Sequence, residues 1–306
     1  MKINIFRSFI ITILFTSIIA IEGCNSNDQK ESKSPELEII PSLKKVLNRG
    51  GEIIYANDFW VIADVGDSTT AELASYLASS LRGLTNQDVL ITDLYSTRKH
   101  NQSISIKINT SIEDPQAYTL DLTSAKVKIE GGSSQGVYYG IKTLLHLLNS
   151  TDGRDTIFAI PKVIIKDSPI NKVRAVLVTS DQLEGEYFIM SFVMGTLKLN
   201  KLIIENNQES EAKISKVTAK NFVQFSNYQE FNSNISIISF GDSLEDLERF
   251  YTTYNANLNN EEIILDLRSS SSSAIYNKLI IMAEISWASS NKRSFDDLKK
   301  NFDGIE

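Results

Sequence analysis

The sequence predicts an α+β domain followed by an incomplete α/β region. Two observations support this order. In the first part, several strands are interrupted by one early and one late helix, which is typical of helices packed on one face of a mixed sheet. In the second part, a strand at Arg174–Thr179, a helix at Glu184–Leu199 and a strand at Lys201–Glu205 alternate, as they do at the start of a parallel barrel.

The stretch Ala117–Leu148 has the clearest pattern in the chain. Tyr118, Leu120 and Leu122 alternate with polar residues, as do Val127 and Ile129, which predicts two half-buried strands. We expect Gly131-Gly132 to end the second strand by adopting backbone angles that a β-carbon forbids. A helix should then follow, capped by Ser133 or Ser134. Its apolar face is predicted from the spacing of Val137, Ile141, Leu144, Leu145 and Leu148.

A glycine-rich turn before a helix also occurs at phosphate sites. However, GGSSQG at 131–136 is not G-x-G-x-x-G, and Gly140 and Lys142 are not adjacent as a P-loop requires. The pattern therefore indicates a tight turn that leads into a packed helix.

The remaining elements of the first part are predicted from shorter patterns. The spacing of Leu73, Leu77 and Leu81 predicts a helix over Thr70–Leu81. Gly50-Gly51 indicates a turn. Strands are predicted at Phe59–Ala63, Val89–Thr92 and Ile104–Ile108.

The N-terminus is typical of an exported bacterial lipoprotein. Lys2 and Arg7 precede an apolar run, Phe9–Ala20, which has the length of a signal-peptide core and is short for a membrane span. Gly23-Cys24 then resembles a lipobox, so residues 1–23 are predicted to be a signal peptide and Cys24 a lipid attachment site. An ordinary secretory signal with an incidental cysteine is the alternative. Residues 24–36 are polar and read as a flexible tether.

Composition excludes several classes of function. The formal net charge of −7 and the pI of about 5.1 argue against a nucleic-acid binder. Cys24 is the single cysteine, and His100 and His146 are the two histidines, so the sequence predicts no zinc site and no cofactor. His100 is expected in a solvated loop and His146 beside the apolar face of the late helix.

The sequence AYTLDL…VKIEGGSSQGVYYGIKTLLHLL resembles that of the small N-terminal domain of family 20 glycoside hydrolases, the β-N-acetylhexosaminidases. ELEIIP and IPKVIIKDSPINKVRA resemble the sequences that flank this domain in the family. The resemblance implies a structural domain over residues 37–170 and a catalytic barrel after it. A related domain precedes the barrel of family 84 hexosaminidases, so this stretch alone does not distinguish the two.

Residues 171–306 resemble the family's barrel only in part. Arg174 matches an arginine that binds sugar hydroxyls in the family, and it is the one substrate contact that the resemblance implies; a strand-end arginine in a surface ion pair is the alternative. TLKLN at 196–200 matches "yKLN". IIMAEISW at 280–287 resembles the final barrel helix of family 20 and favours it over family 84. Other matches fail, because Thr179 and Gln182 stand where the family has an acid and an arginine.

The distance between the matched segments predicts an incomplete barrel. About 105 residues separate Thr179 from Ala283, whereas a full barrel takes roughly 250 residues. Further strands are predicted at Asn234–Phe240 and Ile263–Leu267, with a helix at Ser243–Tyr254 between them. That gives about four strands. Ser269–Ser273 is expected to be a loop.

The catalytic acids implied by the resemblance are absent. Family 20 hydrolysis is substrate-assisted, with an Asp that orients the sugar's acetamido group and a neighbouring Glu that protonates the leaving oxygen. The sequence contains no Asp-Glu dipeptide, so no catalytic residue is predicted. We expect a hexosaminidase-like lipoprotein without catalysis, anchored to a membrane in the periplasm or at the cell surface. The alternatives are an active glycosidase on N-acetylhexosamine-containing glycans, and a cell-surface carbohydrate-binding or scaffold module.

Overall fold

Two β-sheets, each with its own helices, make up the computed structural model. It describes residues 37, 39–55, 59–85, 87–96, 100–149, 158–183, 187–207, 209–228, 235–254, 262–287 and 293–302. The predicted signal peptide, Cys24 and the tether lie outside these residues. Both sheets belong to one compact unit that covers residues 35–306.

The first sheet has seven strands in the order β1-β7-β5-β6-β4-β2-β3. It is mixed, because the pairs β1–β7, β7–β5 and β5–β6 are antiparallel whereas the pairs β6–β4, β4–β2 and β2–β3 are parallel. Its strands are β1 (Lys45–Tyr55), β2 (Phe59–Ala63), β3 (Val89–Asp93), β4 (Ser103–Ile108), β5 (Tyr118–Asp121), β6 (Lys126–Gly131) and β7 (Phe158–Asp167).

Two helices, α1 (Ser68–Thr85) and α2 (Ser134–Asn149), pack on this sheet and on each other. Their apolar faces supply much of the first core, including Leu77, Leu81, Ile141 and Leu144, none of which is exposed. The predicted α+β fold, with a mixed sheet and amphipathic helices, is confirmed.

The glycines at the start of α2 have a different role from the one predicted. Gly131 and Gly132 are not in the left-handed region; instead, a β-carbon on Gly131 would collide with the backbone of Val137, and one on Gly132 with the carbonyl of Asp114. Close backbone approach therefore requires these glycines. The predicted cap is present, because the Ser133 hydroxyl accepts from the Gln135 N–H at 3.1 Å.

Gly50 and Gly51 do not form the predicted turn. They lie inside β1 with φ of 71° and 75°, at a register shift of the β1–β7 pair between Asn48 and Glu52. The two positive φ angles and the shift are those of a bulge, which glycine allows at little steric cost.

The second sheet is parallel and has five strands in the order β10-β9-β8-β12-β11. They are β8 (Val173–Thr179), β9 (Lys201–Glu205), β10 (Gln224–Asn227), β11 (Ser236–Ile238) and β12 (Glu262–Asp266). The first strand, β8, is central, and the chain then adds two strands on one side and two on the other. This is the order of a parallel barrel that has its first three and last two strands.

Within the described residues, six helices accompany the parallel sheet: α3 (Ser180–Leu183), α4 (Tyr187–Thr196), α5 (Glu211–Ala219), α6 (Leu244–Thr253), α7 (Ser272–Trp287) and α8 (Phe295–Lys299). The helix α7 begins within the serine run that was predicted to be a loop. One face of the sheet, with Val176, Leu202 and Leu265, packs in the same core as residues of these helices. The predicted incomplete α/β region is thus confirmed, with five strands among the described residues rather than four. In the described residues, no helix is both long and apolar enough to cross a bilayer.

Candidate functional site at the carboxyl edge of the parallel sheet

The carboxyl ends of the parallel strands define the candidate site, because barrel enzymes place their chemistry at this edge. Thr179 ends β8, Glu205 ends β9, Asn227 ends β10 and Asp266 ends β12. The edge therefore carries two acids and two neutral polar groups.

Arg268, two residues after β12, binds both acids. Its guanidinium donates to the two oxygens of Asp266 at 3.0 and 2.7 Å and to Glu205 Oε1 at 2.6 Å. The three side chains are partly buried, with 30%, 18% and 26% of the side chains of Arg268, Asp266 and Glu205 exposed. The guanidinium also lies 5.1 Å from the centre of the Tyr228 ring.

This arrangement keeps Asp266 ionised. Burial raises the pKa of Asp266, but the hydrogen bonds from Arg268 outweigh it, so the pKa is lowered from its ordinary value. The hydrogen bond to Asp266 likewise raises the pKa of Arg268. A general acid must hold a proton at working pH, and Asp266 is therefore unsuited to that role.

The neutral groups at this edge are also engaged with protein atoms. The Gln182 Oε1 accepts from the Thr179 N–H at 2.9 Å, and its Nε2 donates to the carbonyls of Leu267 and Ser270 at 2.7 and 3.1 Å. Gln182, which stands where the family has an arginine, thus ties β8 to the loop after β12. Asn207 donates to Asn227 at 3.1 Å.

The sheet face opposite the helices is filled with apolar side chains. Ala175, Leu177, Ile203 and Ile264 are at most 1% exposed and pack together, with Tyr228 and Ile235 against them. In a closed barrel such residues form the packed interior, so this face contributes a core and not a ligand cavity.

Arg174 lies at the opposite, amino end of β8 and is fully buried. Its five N–H donors all have protein partners. They donate to the carbonyls of Lys198, Asn171 and Lys172, to Gln116 Oε1 at 2.7 Å and to the Tyr139 hydroxyl at 3.1 Å. In this arrangement no donor of Arg174 is left for a sugar hydroxyl, and the side chain is not in a surface ion pair either.

The Lys-Leu-Asn motif at residues 198–200 also makes contacts between the two sheets. Lys198, in the left-handed region with φ of 59°, donates to Asp167 at 3.0 Å and to the Tyr118 hydroxyl at 2.9 Å. Asn200 accepts from the Arg174 backbone N–H at 2.8 Å. Trp287 donates to the same Asp167 oxygen at 2.7 Å, so this fully buried side chain both packs in the core and makes a buried hydrogen bond.

A third polar contact lies at Glu284, in the segment that resembles the family's final helix. Its carboxylate is buried and accepts from the Ser42 backbone N–H at 2.7 Å and from the Ser42 hydroxyl. Arg293 donates from Nε to Ser42 at 3.1 Å and also binds the Ile39 carbonyl. The residues that carry the resemblance therefore meet where the two sheets join, away from the carboxyl edge.

The two histidines offer no metal centre. The ring of His100 stacks on Trp60 with centroids 3.9 Å apart, so it is not the solvated side chain that was expected. His146 is half-buried, and burial, Lys198 and Arg293 lower its pKa to about 4. Among the described residues, no three His, Cys, Asp or Glu side chains converge as a metal site would require.

The fold is similar to that of glycoside hydrolases. CpGH84B matches 87% of this chain and 74% of its own, with a TM-score of 0.60 and 14% identity. The β-N-acetylhexosaminidase of Streptomyces coelicolor A3(2) matches 74% of this chain with a TM-score of 0.51 and 14% identity. The Streptomyces plicatus β-hexosaminidase mutant D313A, in complex with GlcNAc, matches 75% with a TM-score of 0.50 and 15% identity. In each case the identity supports likeness of fold alone.

The sequence match is more specific. Residues 36–168 match the sequence profile of glycosyl hydrolase family 20, domain 2. The predicted resemblance to family 20 is therefore confirmed: residues 36–168 match its domain 2, and the region that follows is similar in fold to part of the hexosaminidase structures. The chain spans 51% of the length of both Streptomyces enzymes. A comparison with proteins of curated function gave no match.

The sequence interpretation did not single out five residues of the candidate site, namely Asp266, Arg268, Tyr228, Asn207 and Asn227. A signal for Arg268 was available, since ILDLR places an acid and an arginine directly after a buried strand. Tyr228 follows the strand QFSN. Because this strand lacks alternating apolar residues, the sequence does not show where the strand ends, and Tyr228 could not be placed at the edge of the sheet.

Proposed function

We propose that the protein is an exported, lipid-anchored relative of family 20 hexosaminidases that does not hydrolyse glycosides. The observation that carries this proposal is at the carboxyl edge. The two acids there, Glu205 and Asp266, are both bound by Arg268. Neither is set up as a general acid, and no Asp-Glu dipeptide is present to supply one.

The strand order supports the same conclusion. Between Asn227 at the end of β10 and Ser236 at the start of β11 there are 8 residues, 228–235. A strand with its crossover helix needs roughly 30 residues. The missing barrel strands therefore have no place between these two strands, and without them we expect no enclosed pocket to position an acetamido group for attack.

Hydrolysis of an aryl N-acetylglucosaminide tests the absence of catalysis. The aryl leaving group needs little protonation, so this substrate would reveal even a weakened site. We expect no turnover above the uncatalysed rate. Turnover that is lost in Arg268→Gln but kept in the exposed control Arg249→Gln would place an active site at the carboxyl edge and contradict the proposal.

We also propose lipid attachment at Cys24, which would hold the protein at a membrane, in the periplasm or at the cell surface. This proposal is based on the apolar run that is followed by Gly23-Cys24 in the sequence. On detergent phase separation of cell extracts, we expect the protein in the detergent phase and its Cys24→Ser variant in the aqueous phase. Recovery of the unaltered protein from the aqueous phase would contradict the anchor.

A second candidate function is binding of N-acetylhexosamine-containing glycans without hydrolysis. The observation that favours it is the Tyr228 ring beside Arg268, with Asn207 and Asn227 nearby at the same edge. Aromatic rings and amide groups together suit a hydroxyl-rich ligand. Titration with an N-acetylglucosamine oligomer should then give binding that Tyr228→Ala removes and Tyr95→Ala, an exposed tyrosine elsewhere, leaves unchanged.

A further inference from the structure

One face of α4 exposes large apolar side chains. Phe188, Ile189 and Phe192 are 53%, 54% and 45% exposed. Successive helix residues are about 100° apart, so these three positions lie within about 100° of each other and form one continuous stripe. The opposite face of α4, with Met190 and Met194, is buried in the second core.

The stripe is held on a rigid support. The Lys142 ammonium of α2 lies 4.4 Å from the centre of the Phe192 ring and donates to the Thr196 hydroxyl at 3.2 Å. At Gly195 a β-carbon would meet the Tyr138 hydroxyl and the Asn221 carbonyl at 2.7 Å, so α4 packs closely on its neighbours. The apolar side chains are therefore presented by a fixed helix.

The neighbouring helix is basic on its exposed side. Helix α5 packs on α4 and carries Lys213 and Lys216, and Lys220 follows its last residue; all three lysines are exposed. Its end is tied to α4 by a hydrogen bond of 2.9 Å from Asn221 to the Ser191 hydroxyl. Lys213 is paired with Glu209 at 2.8 Å. Surfaces that combine exposed aromatic and lysine side chains are typical of proteins that bind anionic membranes.

The predicted tether connects Cys24 to the folded part of the chain, whose continuous description begins at Ile39. Residues 25–36 precede this point, and 12 extended residues reach at most about 40 Å. A chain anchored at Cys24 can therefore bring the stripe to the bilayer.

We propose that the α4 stripe, with the lysines of α5, rests on the anionic phospholipid leaflet that holds the anchor. This inference relies on the proposed lipid anchor. A second copy of the chain is a poorer occupant. An aromatic side chain buries at most roughly 250 Å², so three half-exposed side chains fall well below the 1,200 Å² or more of a stable interface.

Flotation with vesicles tests the proposal on the full mature chain carrying Cys24→Ser, which has no lipid of its own. We expect binding to vesicles of phosphatidylethanolamine and phosphatidylglycerol. Phe188→Ser with Ile189→Ser should weaken it at least about tenfold, whereas the exposed control pair Leu90→Ser with Ile91→Ser on β3 should not. Changing the three lysines of α5 to Gln should weaken binding to these vesicles but not to phosphatidylcholine vesicles.

Neither serine pair alters a buried side chain, and a circular dichroism melt checks that both variants fold. Three results would overturn the proposal. They are an equal loss of vesicle binding in the two serine double variants, no vesicle binding by the parent protein, and a dimer seen by light scattering without vesicles that depends on the stripe residues. The anchor is tested separately. Vesicle binding by the stripe together with an unlipidated Cys24 would contradict only the anchor, and lipidation without stripe binding would contradict only this inference.

Discussion

At the scale of single residues, the same side-chain type serves opposite roles depending on which end of a strand it occupies. Arg174 and Arg268 both lie next to strand ends of the parallel sheet, but Arg174 is at the amino end and fully buried. The resemblance implied a sugar contact at Arg174, because its identity and position match the family. That residue 174 is an arginine at the start of a strand could be read from the sequence. That its N–H groups bind Gln116 and Tyr139 could not be predicted, because these residues are distant in the chain.

We expect Arg174→Ala to lower the free energy of unfolding by about 3 kcal/mol or more, because it leaves several buried acceptors without a partner. Urea denaturation measures the change. Arg249→Ala is the control, since Arg249 pairs with Asp246 at the surface and such pairs contribute about 1 kcal/mol or less. A loss for Arg174→Ala no larger than that of the control would mean that its buried hydrogen bonds contribute little.

At the scale of elements, strands and helices with regular apolar spacing were predicted well, and the misses have local causes. β9 was predicted with its observed bounds, Lys201–Glu205. β7 lies in the segment IPKVIIKDSPINKVRA, which was matched only to a sequence that flanks the small domain in the family; the sheet accommodates its Pro161 opposite the bulge of β1. β10, with the sequence QFSN, has too few apolar residues to reveal a strand.

The two leucines in the middle of α2 provide a test at this scale. Leu144 has no exposed surface, whereas Leu145 is only partly buried, although both were predicted to be buried. Leu144→Ala should lower the free energy of unfolding by about 2–5 kcal/mol, the usual range for a buried leucine. Leu145→Ala, one position further along the same helix, should lower it by clearly less. Equal denaturation midpoints for the two variants would contradict this assignment of the core face.

At the scale of the whole molecule, the segments that resemble the family are those that join the two sheets. Asp167 of β7 accepts hydrogen bonds from Tyr118, Lys198 and Trp287, which come from both halves of the chain. The short barrel was predictable from the distance between matched segments, because that distance limits how many strands fit. The convergence of these residues on Asp167 was not predictable, because it depends on how the two sheets are placed.

This convergence predicts that the two halves unfold together. Asp167→Asn leaves Lys198 buried beside a neutral group, and breaking a buried ion pair in this way costs about 3–5 kcal/mol. In a Trp60→Phe background, Trp287 fluorescence reports the junction, while far-UV circular dichroism reports the helices of both halves. We expect both signals to shift to the same lower urea midpoint.

The exposed pair of Lys213 with Glu209 provides the matched control. Glu209→Gln also neutralises one acid of an ion pair, but in water, and it should shift the midpoint by less than about 1 kcal/mol. Two separate transitions in the Asp167→Asn variant alone would mean that Asp167 couples two units that can unfold independently. Two transitions in the parent protein would contradict the prediction, because the contacts at Asp167, Arg174 and Glu284 would then be too weak to make the halves one cooperative unit.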